Sequence, residues 1–289
     1  MSEARCWVCG SPDLTRRKAS DVTDITSADF AISDAHYGRT AAIDACGACG
    51  FLQCSDMAAV VPYYEDLEDP AYLASRRERL LQSRRLLRAI GRLAGRELAG
   101  LRLLDVGAGS GPLVEEAGRL GMRAEGVEPS RWLCGHAREA GLAVHHGVLP
   151  HPDLVGPYDL VTLVDVIEHT TDPLQLLREA AALLAPDGRL VIVTPDVSSL
   201  AARLLGWRWW HFRLAHVGYF STSTLERLCV RAGIAPAGRT RPDWVLPLSY
   251  LLERLERYVP VRLPRLAWLD RAAVPFNLRD SILMLARRA

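Results

Sequence analysis

Apolar positions follow two rhythms along this chain. From residue 101 onward, short apolar runs closed by turn residues alternate with stretches in which apolar side chains recur every three or four positions. The runs at 101–106, 122–127, 142–145, 158–164 and 189–193 read as strands, and the stretches 112–120, 131–140 and 173–184 as the helices between them. Strand, helix, strand in that order is the βαβ unit of an α/β sheet. Pro186-Asp187-Gly188 stops one helix. Further helices are expected near 198–205 and over 222–232, Pro236 marks the exit of a sixth strand region, and 280–286 supplies the last strand.

Ahead of this array, 71–98 reads as one long helix with Leu73, Leu80, Leu87 and Ile90 as its buried stripe, reached by a turn-rich linker over 61–70. Eight arginines, among them Arg76, Arg84 and Arg92, crowd its other face; a solvated face is the plainer reading, a grip on phosphates the other. Tyr63, Tyr64 and Tyr72 suit either an entry to a site or simple packing. Between 243 and 277 a helical insertion is expected, with a stripe of Leu248, Leu251, Leu252, Leu255 and Tyr258 opposed by Glu253, Arg254, Glu256 and Arg257. Balanced charge opposite the stripe favours a lid packed on the protein over insertion into an anionic bilayer, with a lipid-tail groove or a dimer face as alternatives.

The first strand and helix of the array are joined by a glycine turn. Gly107, Gly109 and Gly111 lack Cβ atoms, so the turn admits positive φ and lets a ligand lie against bare backbone. The second strand ends in Glu128, where a ribose diol would be hydrogen-bonded. A dinucleotide fingerprint shares these parts, but here the third glycine comes one residue early and Asp105 stands two residues before the first. An acid beside the turn suits a cationic, phosphate-free ligand better than a pyrophosphate. With Asp105-Val-Gly-Ala-Gly-Ser-Gly111 and Gly126-Val-Glu-Pro-Ser130, the chain resembles the class I S-adenosylmethionine-dependent methyltransferases over residues 101–240. The resemblance implies a Rossmann-like, doubly wound seven-stranded sheet. It also implies S-adenosyl-L-methionine as cofactor, held by Asp105, Gly107, Ala108, Gly109, Gly111, Glu128, Pro129 and Ser130, with Gly147, Val148 and Leu149 beside the adenine and Asp165 at the next strand end.

Asp165-Val-Ile-Glu168-His169 follows the fourth strand. A helix beginning at Asp165 would put Glu168 and His169 on one face with it, able to hold Mg²⁺ or to supply a base, or merely to cap the helix. The pattern is similar to the E-x-x-E-H of metal-dependent O-methyltransferases, with Asp165 as the departure. His216-Val-Gly-Tyr219-Phe-Ser resembles a stretch common to methyltransferases of bacterial sugar and lipid pathways, which makes His216 a second candidate base and Tyr219 or Glu168 its orienting partner. Trp207, Trp209 and Trp210 are costly if exposed and are expected to wall an acceptor pocket, touch a membrane surface or pack under a lid. No N-P-P-Y type sequence follows this strand, which counts against base N-methylation.

Cys6-x-x-Cys9-Gly10 and Cys46-x-x-Cys49-Gly50 present two thiolate pairs, the pattern of a structural Zn²⁺ site, with a redox dithiol as alternative and Cys54 as a possible competitor. The polar stretch 21–40 between them is expected to form a hairpin or loop. The N-terminus lacks an apolar signal region and no apolar run of about 18 residues is present, so a cytoplasmic protein is expected. Net charge is +1, with no global pull toward nucleic acid or membrane; 34 of the 35 basic residues are arginine, a skew that fits a GC-rich genome. The expected organisation is a zinc-binding unit at 1–60, the linker and arginine-rich helix at 61–100, the cofactor-binding core at 101–241 and the lid insertion with the last strand at 242–289. The expected activity is methyl transfer to oxygen or carbon of a small molecule from a sugar, lipid or secondary-metabolite pathway. An RNA methyltransferase and a non-catalytic cofactor-binding scaffold are the alternatives.

Overall fold

A computed structural model of the chain describes residues 4–33, 37–248 and 272–289, together with Leu252, Glu256, Tyr258 and Leu269. Three short strands come first, β1 (Leu14–Lys18), β2 (Ile43–Cys46) and β3 (Leu52–Gln53). The stretch between β1 and β2 is a loop with one 3-10 turn, Ser27–Phe30, rather than a hairpin. Where a linker and one helix were expected, the chain builds α1 (Val61–Glu65), α2 (Pro70–Ala74) and α3 (Arg76–Ala94). Asp69 accepts the Tyr72 N–H at 2.9 Å and Pro70 occupies the first turn of α2, so a new helix starts there. Ser75 separates it from α3, which ends at Gly95 in the left-handed conformation.

Next come β4 (Arg102–Val106), α4 (Pro112–Arg119), β5 (Arg123–Glu128), α5 (Arg131–Glu139), β6 (Val144–His146) and β7 (Tyr158–Val164). A 3-10 turn (Ile167–His169), α6 (Pro173–Ala182), β8 (Leu184–Pro195), α7 (Leu200–Leu205) and β9 (Gly218–Tyr219) follow. Then come α8 (Thr222–Arg231), β10 (Ile234–Thr240), β11 (Trp244–Pro247), β12 (Ala273–Phe276) and β13 (Ser281–Arg288). The large sheet has seven strands in the order β10-β13-β8-β7-β4-β5-β6. β8-β7-β4-β5-β6 run parallel; β13 is antiparallel to β8, and β10, antiparallel to β13, runs with the others again at that edge. Reversal of strand order between β4 and β7 opens a crevice at their carboxyl ends. Pro236 lies inside β10 at a register shift, tolerated because this strand is an edge. β8 begins five residues earlier than its apolar run because a second register shift, opposite Tyr158 and Leu160, absorbs Pro186-Asp187-Gly188.

The two polar residues inside β7 are both paired. Asp159 Oδ2 accepts the Arg102 N–H at 2.8 Å, and Thr162 Oγ1 donates to Asp105 Oδ1 at 2.6 Å. Gly126 is required by contact: a Cβ there would sit 2.6 Å from that of Ala108.

The expected boundary at residue 60 does not interrupt the packing. β1-β2-β3 are completed by β9 as a fourth strand, with Leu52 opposite Tyr219 and Gln53 opposite Gly218. Cys54 N–H donates to Val217 O at 2.8 Å, and the Phe51 and Phe220 rings lie 4.8 Å apart. Cys6, Val8, Cys46 and Phe51 share one buried cluster with Phe220, Leu225 and Leu228 of the α8 region. Of the tryptophans expected to wall a pocket, touch a membrane surface or pack under a lid, Trp210 lines the cavity described below and Trp209 packs inward. Trp209 is fully buried, its indole N–H donating to Asp280 Oδ2 at 3.3 Å, inside a second cluster with Phe30, Phe212 and Tyr219. The ends of the expected insertion pair as the ribbon β11-β12. Leu251, Glu253, Arg254, Leu255 and Arg257 lie outside the described residues; of the rest of the predicted stripe and its opposing charges, Leu248, Leu252, Glu256 and Tyr258 are described, and the Tyr258 hydroxyl donates to Arg208 O at 2.7 Å.

Truncating Phe51 removes a fully buried ring from the joint between the two sheets. Phe51→Ala is expected to lower unfolding free energy by about 3–5 kcal/mol, read from the midpoint of a urea transition; a change within the noise would mean the joint is not part of the cooperative core.

Candidate active site and cysteine cluster

The carboxyl ends of β4, β5 and β7 open into a cavity of about 910 Å³. Asp105, Gly107, Ala108, Gly109, Glu128, Pro129, Gly147, Val148 and Leu149 line it, as do Asp165, Glu168, His169 and His216. One space therefore gathers most of the residues singled out from sequence.

On the glycine-turn side the backbone is drawn tight around what it must hold. Gly107 and Gly109 take φ of 75° and 56°, and an added Cβ would lie 2.6 Å from Val166 Cγ2 and 2.2 Å from the Tyr72 hydroxyl. Glu128 accepts the N–H of Gly109 on Oε2 and that of Ser130 on Oε1, both at 2.8 Å. These bonds fasten the acid at the tip of β5 to the glycine turn. Burial pushes Glu128 up to about 7 despite those two donors, and burial does the same to Asp105, which the Thr162 hydroxyl only partly offsets. Two buried acids beside bare backbone form a place for a cation that also carries a diol.

Gly111, Ser130 and Tyr219 do not line the cavity. Gly111 starts α4 with φ of 80°, and a Cβ there would strike Leu142 at 2.5 Å, so its role is packing. The Ser130 hydroxyl caps α5 through Leu133 N–H and donates to Leu67 O. Tyr219 is buried in β9, and its hydroxyl turns toward Arg213 O at 3.5 Å; it orients neither histidine. The residue that does is Tyr64, whose hydroxyl is within hydrogen-bond distance of His169 Nδ1.

The second group is arranged differently from the expectation at one point. Asp165 does not begin a helix. It sits at φ of 53°, and only the 3-10 turn Ile167–His169 follows. The side chains whose ligand atoms lie within 4.8 Å of one another are Glu168, His169 and His216, without Asp165. The Asp165-Glu168-His169 set proposed for Mg²⁺ is therefore not assembled, and two imidazoles with one carboxyl are a poor match for an ion that prefers oxygen ligands. Glu168 Oε2 accepts from Thr194 at 2.9 Å, whereas Glu168 Oε1 and His216 Nδ1 are buried without a hydrogen-bond partner. Burial and the neighbouring Asp165 carboxylate hold Glu168 well above the usual carboxyl range, which favours its protonated form. Burial drives His169 down to about 3 and His216 well below its usual value; both rings are neutral. Arg213, its guanidinium tied to Ala31 O and Ile32 O, is a cation beside this group that its surroundings in sequence did not signal among 34 arginines.

The cysteines meet as two crossed pairs. Cys6 Sγ lies 3.6 Å from Cys49 Sγ, and Cys9 Sγ lies 3.5 Å from Cys46 Sγ. A tetrahedron with Zn–S bonds of about 2.3 Å has S···S edges of about 3.8 Å, close to both and far from a disulfide. Gly10 and Gly50 follow the pairs at φ of 78° and 77°, and their N–H groups close equivalent turns onto Cys6 O and Cys46 O at 2.8 Å.

The geometry agrees with what comparison with known proteins finds. Residues 73–236 match the model of a methyltransferase domain family, and the chain belongs to that family. A ubiquinone biosynthesis O-methyltransferase of Caulobacter sp. (strain K31) is 39% identical over 103 residues, covering 33% of this chain and 41% of that protein. One from Xanthomonas euvesicatoria is 38% identical over 106 residues, covering 34% and 44%. The chain thus spans about two fifths of the length of these curated relatives. A solved complex of the Haloferax volcanii Trm112 methyltransferase activator with a methyltransferase contains a chain that superposes with a TM-score of 0.52 at 17% identity, over 75% of this chain and 96% of that one, a likeness of fold. Among the described residues no helix is long and apolar enough to cross a membrane.

Because Asp105 and Glu128 titrate near 7 in the free protein and a cationic ligand favours their ionised forms, affinity falls as they take up protons. Binding of S-adenosylmethionine, whose sulfonium is the cation in question, followed by calorimetry, is expected to weaken about tenfold per carboxylate between about pH 8 and about pH 6; a flat profile would remove both acids from ligand binding.

Proposed function

We propose that this protein transfers the methyl group of S-adenosyl-L-methionine to a hydroxyl oxygen of a small, largely apolar acceptor. The observation that carries the reading is the pair of unsatisfied buried atoms, Glu168 Oε1 and His216 Nδ1, in the same cavity as the glycine turn and Glu128. A protonated carboxyl offers a donor and a neutral imidazole nitrogen an acceptor; the smallest group that answers both is a hydroxyl. The names of the relatives, ubiquinone biosynthesis O-methyltransferases, support oxygen as the methylated atom. Leu86, Trp210, Trp244 and Phe276 in the cavity wall suit an acceptor with an apolar body.

When bound, the cofactor supplies an electrophilic methyl on a sulfonium, and this chain's residues fit it: Glu128 would hold the ribose, and Asp105 with the turn Gly107–Gly109 the amino-acid end. His216 Nδ1 takes the proton of the acceptor hydroxyl. His169, fixed by Tyr64, and Glu168, fixed by Thr194, hold that hydroxyl in line. Water is kept from the oxygen by the burial that also keeps both histidines neutral. Three arginines of α3 are engaged within the chain, Arg76 with Glu115, Arg84 with Glu116 and Arg79 over the Tyr72 ring, whereas Arg77, Arg85, Arg88 and Arg92 are exposed.

Zinc is proposed at Cys6, Cys9, Cys46 and Cys49 as a structural ion. Burial raises Cys6 to about 11, so metal uptake is expected to release protons. Metal analysis should find at least one zinc per chain, and Cys46→Ser should lose one equivalent together with several degrees of Tm. Retention of full stability without zinc would leave the cluster without a structural role.

The function is tested by offering methyl-labelled cofactor and a cell extract, then separating RNA, protein, lipid and small molecules. Label is expected in the lipid or small-molecule fraction. It should drop by roughly 10²-fold with His216→Ala while S-adenosylhomocysteine still binds. Label confined to RNA would overturn the acceptor class, and an undiminished rate in His216→Ala would overturn the base.

A further inference from the structure

Three of the eight histidines stand close together at the end of β6, His145, His146 and His151, and none of them lines the cavity. We propose that His145, His151 and Asp153 form a second metal site, for a divalent transition ion of the zinc type, on the outer side of the loop 147–149. One ligand atom from each of the three lies within 4.8 Å of the other two, and the His145 and His151 rings are 5.5 Å apart.

The hydrogen bonds around the rings make the case stronger than proximity does. A histidine that ligates a metal through one nitrogen characteristically donates its other N–H to a carboxylate or a backbone carbonyl. Both partners are present. His145 Nε2 lies 3.3 Å from Glu125 Oε2, and Glu125 is itself anchored on its other oxygen by the Tyr158 hydroxyl at 3.0 Å and by Arg102 at 3.4 Å. His151 Nε2 lies 3.1 Å from His146 O, an acceptor, so that nitrogen carries the proton. In each ring Nδ1 is left with the lone pair. His145 Nδ1 faces Asp153 Oδ2 at 3.8 Å, and His151 Nδ1 accepts the Asp153 N–H at 3.3 Å, a long bond that an ion would have to replace.

Two imidazoles and a carboxylate, with solvent at hand to complete the sphere, are ligands for zinc, cobalt or nickel and not for magnesium or calcium. The Asp153 side chain is 70% exposed, so it can close the remaining gap without disturbing the core. The ion would staple the two ends of the stretch 145–153 across Gly147, where His151 Cδ2 already stands 3.0 Å from the place of a Cβ. That glycine and the two residues after it line the cavity, so the metal would brace the cavity wall from behind.

Cobalt(II) distinguishes this site from the cysteines, because thiolate ligands give an intense charge-transfer absorption and nitrogen and oxygen ligands give only weak ligand-field bands. Titrating the whole protein with cobalt(II) alone should show an equivalent that adds ligand-field bands without charge transfer. Asp153→Ala and His151→Ala, separately and together, should weaken that equivalent about tenfold or more and leave the thiolate band unchanged. Unaltered near-ultraviolet circular dichroism would show that each variant is folded. A titration that ends with the thiolate band, or a second equivalent held equally well by the double variant, would overturn the proposal.

Discussion

The pairing of β3 with β9 is the interaction on which the rest of the site depends. It involves few hydrogen bonds, yet it joins the strand just after Cys49 to the strand just after His216. On one side of this joint the cysteine turns are locked by Gln53, which accepts from Trp7 N–H at 2.9 Å and donates to Arg5 O at 3.0 Å. On the other, Val217 N–H donates to Glu168 O at 2.8 Å, so the backbone that carries His216 is bonded both to the cysteine-bearing sheet and to the turn that carries Glu168. The position of one imidazole is set by residues more than 160 places away in the chain, as the Cys54 to Val217 bond illustrates.

A parallel sheet buried on both faces leaves polar side chains no outlet except its ends. Here the inner polar residues find partners one by one: Thr162 on Asp105, Thr194 on Glu168, Trp209 on Asp280, Arg241 on Asp196. Against that background of pairing, the few atoms left over stand out, and three of them, on Glu168, Arg213 and His216, belong to residues that line the cavity. Buried polar groups without partners are costly, so an acceptor that satisfies them gains from the desolvation already completed in folding.

Most of the core was legible in the sequence because strand and helix periods, turn residues and the glycine spacing all report on local structure. Asp105, the glycines and Glu128 fall within 24 residues and declare themselves. What could not be read was set by distant contacts. Tyr64 reaches His169 across 105 positions. Tyr219 lies beside a catalytic candidate in sequence but is consumed by a strand pairing that no local pattern announces. Asp165 carries the i, i+3, i+4 spacing of a helical ligand set, and the chain takes it through positive φ instead. What covers Trp209 was equally out of reach, because the sequence does not reveal that residues of the N-terminal stretch such as Phe30 and Ile43 pack with it. The helix expected at 71–98 was overdrawn for the opposite reason: its start beside Asp69 and Pro70 was legible, but the apolar period ran straight through the break at Ser75 and past the end at Gly95.

A sheet whose first three strands lie before residue 54 and whose fourth lies at 218–219 imposes an order of events on synthesis. The N-terminal strands emerge from the ribosome first but cannot complete their sheet until more than 160 further residues have been made, and chain growth proceeds at roughly 5–20 residues per second. For that interval β3 presents an open edge, with Phe51 beside it uncovered. In this protein strands made well before their partner are among the last to be completed, and the crossed cysteine turns are a local device that could hold them in shape meanwhile.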